Sequence, residues 1–170
     1  MALRGDYMEN NIQYTYAMIK PDVMEKGLAK EIFDIIKGNN FEIVKYDVSM
    51  LTPELVDKHY AHLLDKEFYP SLKAFMLSGL VTKIILRGDN AVLRFRELVG
   101  TTDSRKAKEG TIRNLFGEDN QRNAIHASDS IESAEEEIKR FFNTTPQTLE
   151  NERNELSKAE YYKIKHKIKK

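Results

Sequence analysis

The stretch QYTYAMIKPD, residues 13–22, decides how the chain starts to fold. Its first seven residues are mostly apolar or aromatic, which is typical of a β-strand, and this run stops at Lys20. Pro21 then stands where proline favours the first turn of a helix, and Asp22 is able to cap that helix. The stretch therefore predicts a strand that leads directly into a helix.

The rest of the chain continues this alternation. Apolar residues at helical spacing predict a helix over residues 23–36. The same kinds of pattern predict strands at 41–51, 80–86 and 123–127 and a helix that begins at Ser71. Three further helices are expected to be capped by Thr52, by Asp89-Asn90, and by Asp129 or Ser130. With the extra helices set aside, the order is β-α-β-β-α-β. We therefore predict an α+β, ferredoxin-like fold, in which an antiparallel four-stranded sheet has helices on one face.

The composition suits one globular domain. The chain has 170 residues, of which 41% are hydrophobic, and 27 basic residues balance 27 acidic ones. This balance argues against a protein that mainly coats nucleic acid or an anionic membrane. The sequence contains no cysteine, and no apolar run reaches the roughly 18 residues that a membrane span needs. We expect a cytoplasmic protein without disulfides, cysteine-bound zinc or a membrane span.

The globular domain is expected to cover residues 13–142. Residues 1–12 are polar and are expected to be disordered or non-native, and residues 143–170 form an extension with a basic tail, KIKHKIKK. In this extension Tyr161, Ile164 and Ile168 recur at helical spacing. The pattern fits a basic amphipathic helix for a partner or membrane surface, or a contact between subunits, but a solvated and partly disordered tail is the simplest interpretation.

The candidate chemistry centres on His126, in the last predicted strand. Ser128 can point to the same side of this strand, and Glu137 on the following helix can reach back toward its end. A carboxylate bonded to an imidazole fixes the tautomer, and an oriented neutral imidazole is a good nucleophile near neutral pH. His126 is therefore a candidate nucleophile. The alternatives are a structural histidine, which is the commoner kind, and a merely solvated Glu137.

Basic residues lie in the segments expected to surround His126. Lys20 ends the first strand, where a point charge suits a phosphate. The polar segment 101–122 is rich in arginine, lysine and threonine, which a polyphosphate site needs, although a solvated basic loop has the same composition. No Walker-type G-x-x-x-x-G-K-[ST] motif is present. The candidate phosphate-binding residues are Arg94 and Arg96, just before this segment, and Thr102, Arg105, Lys106, Lys108, Thr111 and Arg113 within it.

Together these residues fall in motifs that resemble the nucleoside diphosphate kinase family. The resemblance runs from about Thr15 to Phe142, and the histidine motif is its most specific part. The matching motifs are YAMIKPD (16–22), His59-Tyr60 with Phe68, GTIR (110–113), NAIHASDS (123–130) and ESAE (132–135). The resemblance implies a helical hairpin inserted after the second strand and a long loop before the histidine strand.

The resemblance also implies an activity. His126 would take the γ-phosphate of a nucleoside triphosphate and pass it to a second nucleoside diphosphate, in ping-pong fashion. Glu137 and Ser128 would orient its imidazole, and Mg²⁺ would bridge the nucleotide phosphates rather than occupy a protein cage. The other implied roles are Lys20 and Asn123 at the sugar 3′-hydroxyl, Lys20 also at the transferring phosphate, His59, Tyr60, Arg96, Thr102 and Arg113 at the phosphates, and Phe68 stacked on the base.

The implied partners are nucleoside tri- and diphosphates and further copies of the chain, in a tetramer or hexamer built from dimers. His59 and His62 share a helix face, but no third ligand is evident, so we expect no metal held by the protein itself. Nucleic acid is not an expected partner. The alternative function is a ferredoxin-like module that binds nucleotide or nucleic acid without transferase activity.

The sequence departs from the family pattern near the proposed site. Asn114 and Leu115 follow the GTIR motif where the family has glycine and aspartate, and Ala127 follows the histidine where a glycine is usual. Asn120 stands where an apolar residue often backs the base. None of these positions is the nucleophile or a main phosphate ligand, so we expect activity with altered substrate affinity.

Overall fold

A four-stranded antiparallel sheet forms the centre of the computed structural model, which describes residues 11–168. Its strands are β1 (Ile12–Ile19), β2 (Glu42–Ser49), β3 (Val81–Asp89) and β4 (Ile125–Ala127), in the spatial order β2-β3-β1-β4. The central strand β1 pairs with β3 along its whole length and with β4 at its C-terminal end. This arrangement confirms the predicted ferredoxin-like fold.

Helices connect and cover these strands. Those that the structure describes are α1 (Pro21–Lys26), α2 (Ala29–Gly38), α3 (Pro53–His59), α4 (Tyr69–Met76), α5 (Ala91–Val99), α6 (Ile112–Phe116), α7 (Ile131–Phe142) and α8 (Pro146–Ile168). Two predicted caps are confirmed: Thr52 Oγ1 accepts from the Leu55 N–H at 3.2 Å, and Ser130 Oγ accepts from the Ser133 N–H at 3.0 Å. Within residues 11–168, none of the helices has the length and apolar character needed to cross a bilayer.

The helices cover both faces of the sheet, not one. On β1, Ala17 and Ile19 face the core formed with α2 and α5, whereas Tyr16 and Met18 face a second core. The inserted hairpin of α3 and α4, together with α7 and the start of α8, encloses this second core. The prediction of helices on one face therefore holds only for α2 and α5. The physical reason is that β1 and β3 are apolar on both sides, so each side has to be removed from water.

Two local predictions are wrong. The single helix predicted over residues 23–36 is divided into α1 and α2, because Gly27 adopts a left-handed conformation (φ 70°) and its N–H closes α1 on the Met24 carbonyl. Asp22 does not cap α1; its carboxylate instead accepts from the Ala124 N–H at 3.1 Å.

The long segment 101–122 contains α6 and a 3₁₀ turn, Ser104–Lys106, and the buried side chain of Ile112 holds it to the core.

The structure bears on part of what the sequence predicts for the two ends of the chain. Residues 1–10 and 169–170 lie outside the described residues, and Ile12, placed in the disordered segment by the sequence, already belongs to β1. The extension is helical, and its first turns are anchored. Leu149 is buried in the second core, and the Glu150 carboxylate accepts from the Arg87 guanidinium at 2.9 and 3.0 Å. The side chains from Leu156 to Lys167 are exposed.

The anchoring of α8 predicts unequal effects for two leucines of the same helix. Leu149→Ala should lower the free energy of unfolding by about 2–4 kcal/mol, because it removes a side chain that is only 3% exposed from a packed core. Leu156→Ala, at a position 68% exposed, should change it by less than about 0.5 kcal/mol. Urea denaturation of both variants measures this difference, and equal stabilities would show that the first turns of α8 do not contribute to the core.

Candidate active site

His126 lies on β4 with its side chain on the same face of the sheet as Met18, its antiparallel partner on β1. Its neighbours Ile125 and Ala127 point the other way, into the core under α2 and α5. This alternation leaves His126 beneath the inserted hairpin and α7, with its side chain 20% exposed. The strand thus presents one polar side chain to the space between these helices.

A buried carboxylate holds the imidazole. Glu137 Oε1 lies 2.8 Å from His126 Nε2 and accepts from the Ser128 hydroxyl at 2.5 Å. Ser128 is fully buried, and its Oγ also accepts from the Tyr16 N–H on β1. Because an ionised carboxylate only accepts hydrogen bonds, the proton of the neutral imidazole is on Nε2. Nδ1 is therefore the nitrogen that keeps a free lone pair.

Residues at the end of α3 form a second side of the site. The His59 ring is buried edge-on to the His126 ring, with 4.6 Å between centroids. Its Nδ1 accepts a hydrogen bond of 3.2 Å from Arg140 Nη1. Burial, followed by the charges of His126 and Arg140, holds the pKa of His59 well below its usual value. The Tyr60 hydroxyl is buried and has no hydrogen-bond partner among the described residues.

Three cations approach the site from other elements. Arg113 on α6 is buried and donates to the Gly100 and Ile125 carbonyls at 3.0 and 2.9 Å, and burial lowers its pKa to about 10. Arg96 on α5 donates to the Ala127 carbonyl at 3.4 Å. Lys20, at the end of β1, donates to Asn123 Oδ1 at 2.8 Å. Burial, followed by the charge of Arg113, lowers the pKa of Lys20 to about 8.

These side chains surround one cavity of about 580 Å³. Of the residues predicted from the sequence, His59, Tyr60, Arg96, Thr102, Arg113, His126 and Glu137 line it. Lys20, Asn123 and Ser128 are buried and do not line it, but each is hydrogen-bonded in this part of the fold, Lys20 to Asn123 and Ser128 to Glu137. Phe68 does not line the cavity; it is 53% exposed at the start of α4. The predicted base-stacking residue thus stands outside the cavity. So do five of the basic-segment candidates: Arg94 bonds to the Asp89 and Asn39 carbonyls, Arg105 pairs with Asp103, Thr111 caps α6, and Lys106 and Lys108 do not line the cavity.

Sequence reasoning gave no role in the site to Asp22 or to Arg140. Asp22 holds the Ala124 N–H just before β4, where Ala124 itself has a left-handed backbone (φ 74°). Arg140 lines the cavity from α7. Its position three residues after Glu137, on the same side of the helix, is a signal that could have identified it. No local pattern indicates the contact of Asp22, because it joins residues 102 positions apart.

A metal ion is a poor fit to the three potential ligands that converge here. Ligand atoms of His59, His126 and Glu137 lie within 4.8 Å of one another. The Glu137 oxygen, however, already accepts from Ser128 and His126, and His59 Nδ1 accepts from Arg140. The guanidinium would also repel a cation. The arrangement is therefore better suited to anions than to a protein-held metal.

A carboxylate-held histidine at the wall of a cationic cavity, on a ferredoxin-like sheet, is an arrangement suited to a phosphotransferase. The chain belongs to the nucleoside diphosphate kinase family, since the family model described as "Nucleoside diphosphate kinase" matches residues 13–146. The nucleoside diphosphate kinase of Methanocorpusculum labreanum is 42% identical over 127 residues, which are 75% of this chain and 85% of the relative. That of Listeria monocytogenes is 40% identical over 131 residues, 77% of this chain and 89% of the relative.

Solved structures are similar over the same region. The Aquifex aeolicus nucleoside diphosphate kinase superposes with a TM-score of 0.72 at 40% identity, covering 76% of this chain and 94% of its own. The Halobacterium salinarum enzyme, solved in complex with CDP, gives a TM-score of 0.75 at 34% identity, with 78% and 88% covered. The recognised family and the predicted fold are thereby confirmed, and the alternative of a binding module without transferase activity is not favoured.

At Gly117, which directly follows the helix α6 that carries Arg113, there is no space for a side chain. A Cβ atom there would lie 2.0 Å from Ser104 Oγ and 2.8 Å from the Arg113 carbonyl oxygen. Gly117→Ala should therefore lower the free energy of unfolding by about 1–3 kcal/mol and weaken ATP binding, because α6 must shift. The control is Gly38→Ala on α2, where a Cβ atom meets nothing within 4 Å. Urea denaturation and calorimetric ATP titration measure both effects, and identical behaviour of the two variants would contradict them.

Proposed function

We propose that this chain transfers the γ-phosphate of a nucleoside triphosphate to a nucleoside diphosphate through a phosphohistidine on His126. The observation that carries the proposal is the bond from His126 Nε2 to Glu137, which leaves the lone pair of Nδ1 for attack within a cationic cavity. The Halobacterium salinarum relative was solved with CDP, a nucleoside diphosphate, which supports the proposed substrate class.

The reaction has two half-reactions: the phosphoryl group is first transferred to His126 and then from His126 to the acceptor. In the first, Nδ1 of His126 forms a bond to the γ-phosphorus, the bond from that phosphorus to the β–γ bridging oxygen breaks, and the nucleoside diphosphate leaves. In the second, a terminal phosphate oxygen of another nucleoside diphosphate takes the phosphoryl group and restores the free imidazole. The proton stays on Nε2 throughout, and the Glu137 carboxylate offsets the positive charge of the phosphorylated ring.

Charge neutralisation and positioning account for most of the catalysis in such a transfer. Arg96 and Arg113 supply fixed positive charge, and Thr102 adds a neutral donor at the cavity wall. The Tyr60 hydroxyl is already desolvated and has no hydrogen-bond partner within residues 11–168, so a phosphate oxygen would satisfy it. Each half-reaction uses the same groups, because donor and acceptor occupy the cavity in turn.

The sugar and base ends of the nucleotide are assigned from the remaining predicted residues. Lys20 and Asn123 are already hydrogen-bonded to each other, so they form a pre-organised pair that can bind a 3′-hydroxyl. In this proposal Lys20 also contacts the transferring phosphate. Phe68 is exposed and free to stack on a base. Stacking on one aromatic face reads no base edge, so the proposed enzyme accepts many bases.

Mg²⁺ would enter with the nucleotide in this proposal. The cavity lining fits an ion held by phosphates, because Glu137 is engaged with His126 and Ser128 and the nearby cations disfavour a bare metal site. When bound, the ion neutralises charge on the phosphate oxygens. A cytoplasmic location, and assembly of dimers into a tetramer or a hexamer, remain part of the proposal.

In the part of the chain that the structure describes, the central strands β1 and β3 expose no aromatic surface for the competing function, a sheet that binds nucleic acid. Such a sheet stacks bases on exposed aromatic residues of its central strands. Tyr14, Tyr16 and Phe41 are the aromatic residues that the sequence offers for this role, and all three are buried. The helices over the second core cover the face that would be needed.

Phosphorylation of His126 is the central test. After incubation with γ-labelled ATP and Mg²⁺, the wild-type protein should carry an acid-labile, base-stable label that moves to added GDP. His126→Asn should carry none, because the attacking nitrogen is absent. His166→Asn, a change at an exposed position on α8, should label like wild type. Folded wild-type protein that takes up no label would contradict the proposed function.

The lowered pKa of Lys20 predicts an alkaline limit to activity. Lys20 is charged below pH 8 and loses its proton as the pH rises through about 8, so kcat/KM for ATP should fall toward tenfold per pH unit above that value. Lys20→Met should have a lower kcat/KM without this limb. Lys30→Met, at an exposed position, should retain it. The measurement is kcat/KM between about pH 6.5 and 9.5, and an unchanged limb in Lys20→Met would exclude Lys20 as its source.

A further inference from the structure

Arg140 is a cavity residue to which the proposed mechanism assigns no role. On α7 it follows Ser133, Glu136 and Glu137 at helical spacing, and these four residues line the cavity as one face of the helix. Among the described residues, His126 accepts no hydrogen bond from the Arg140 guanidinium. This guanidinium reaches across to the inserted hairpin, where Nη1 lies 3.2 Å from Nδ1 of the buried His59.

The contact determines where the proton of His59 resides. A guanidinium has five N–H donors and no acceptor, and it stays charged at any pH relevant to a folded protein. Nδ1 of His59 must therefore accept, which only a neutral imidazole with its proton on Nε2 can do. The other neutral tautomer, and the imidazolium, would point an N–H at the guanidinium.

The surroundings of His59 favour the neutral form but do not select a tautomer. Its burial disfavours a charge, and most of the ionisable groups near it are positive or become so when protonated. The titratable and charged groups that face it are His126 on β4, Glu137 and Arg140 on α7, Lys20 at the end of β1, and Tyr60 and His62 in the inserted hairpin. Of these, Arg140 is the one for which the structure shows a hydrogen bond to the His59 ring.

We propose that Arg140 is a positioning residue that holds His59 as the neutral Nε2–H tautomer, so that this proton is donated to the phosphoryl group on His126. The inference rests on the proposed function, since it assigns His59 a defined protonation state within that reaction. The two imidazole rings are edge-on at 4.6 Å, close enough for a group on one ring to meet a donor on the other. A donor fixed before the reaction needs no reorientation when charge shifts on the phosphoryl oxygens.

The tautomer is the first readout, and it is independent of activity. In protein labelled with ¹⁵N-histidine, long-range ¹H–¹⁵N spectra should show His59 with Nε2 protonated and Nδ1 accepting, its signals being assigned by their loss in His59→Gln. Arg140→Met should give a mixture of tautomers and a His59 that protonates at higher pH, because a donor and a positive charge are removed. Lys139→Met removes the same charge from the exposed neighbour and should leave His59 unchanged.

The second readout is the rate at which ATP phosphorylates His126 in a single turnover. Arg140→Met should slow this step about three- to tenfold at pH 7, the effect of one misplaced hydrogen bond, with little change in the KM for ATP. The slowing should increase as the pH falls, because the variant's His59 protonates more readily than that of the wild type. Arg140→Lys keeps the charge and a donor and should recover part of the rate.

Two results would overturn the inference. One is a His59 tautomer that is the same in wild type and Arg140→Met. The other is a raised KM for ATP with an unchanged phosphorylation rate, which would make Arg140 a direct nucleotide ligand. Wild-type protein with the expected tautomer but no label on His126 would instead overturn the proposed function, and with it the role given to His59, while leaving the contact with Arg140 in place.

Discussion

The site depends on how a strand of three residues, β4, is held against the end of β1. Three residue pairs between β1 and β4 stabilise their contact only weakly, and hydrogen bonds on either side of β4 add to it. On one side the Lys20 N–H donates to the Ala124 carbonyl at 2.9 Å, and Asp22 accepts from the Ala124 N–H. On the other side Ser128 bonds to the Tyr16 backbone. These contacts keep Ala124 in an unfavourable left-handed conformation and place His126 against Glu137.

The same contacts impose a cost on stability. Lys20, Asp22 and Arg113 are buried ionisable residues. Burial lowers the pKa of Lys20 and Arg113 and raises that of Asp22, and each of these shifts disfavours the charged form. A core built for stability alone would replace them with apolar side chains. Their retention around one cavity is understandable if the site must receive the charge of a polyphosphate, which would offset the mutual repulsion of the cations. Stability and the proposed function therefore place opposite demands on this end of the sheet.

Local sequence patterns were sufficient for some features and not for others. Alternation and turn residues predict the order of strands and helices along the chain. The motifs around Lys20, Arg113 and His126 predict residues that the structure brings to one site. Contacts between distant segments were not accessible in this way, including Asp22 with Ala124 and His59 with Arg140. Nor was the division of helices between two faces, because a strand that is apolar on both sides does not say which helix covers which side. The break at Gly27 was visible as a glycine, but its left-handed backbone was not.

The C-terminal helix has a consequence for whatever is attached to this chain. Its first turns are fastened to the sheet by Leu149, by the ion pair of Glu150 with Arg87 and by that of Arg153 with Glu42. The following fifteen or so residues continue as one exposed helix, a length of roughly 20 Å at 1.5 Å per residue. The helix is thus held to the sheet at its N-terminal turns and projects from them. A tag or fused domain placed after this helix would be separated from the sheet by that helical length, whereas a flexible linker of the same number of residues sets no such spacing.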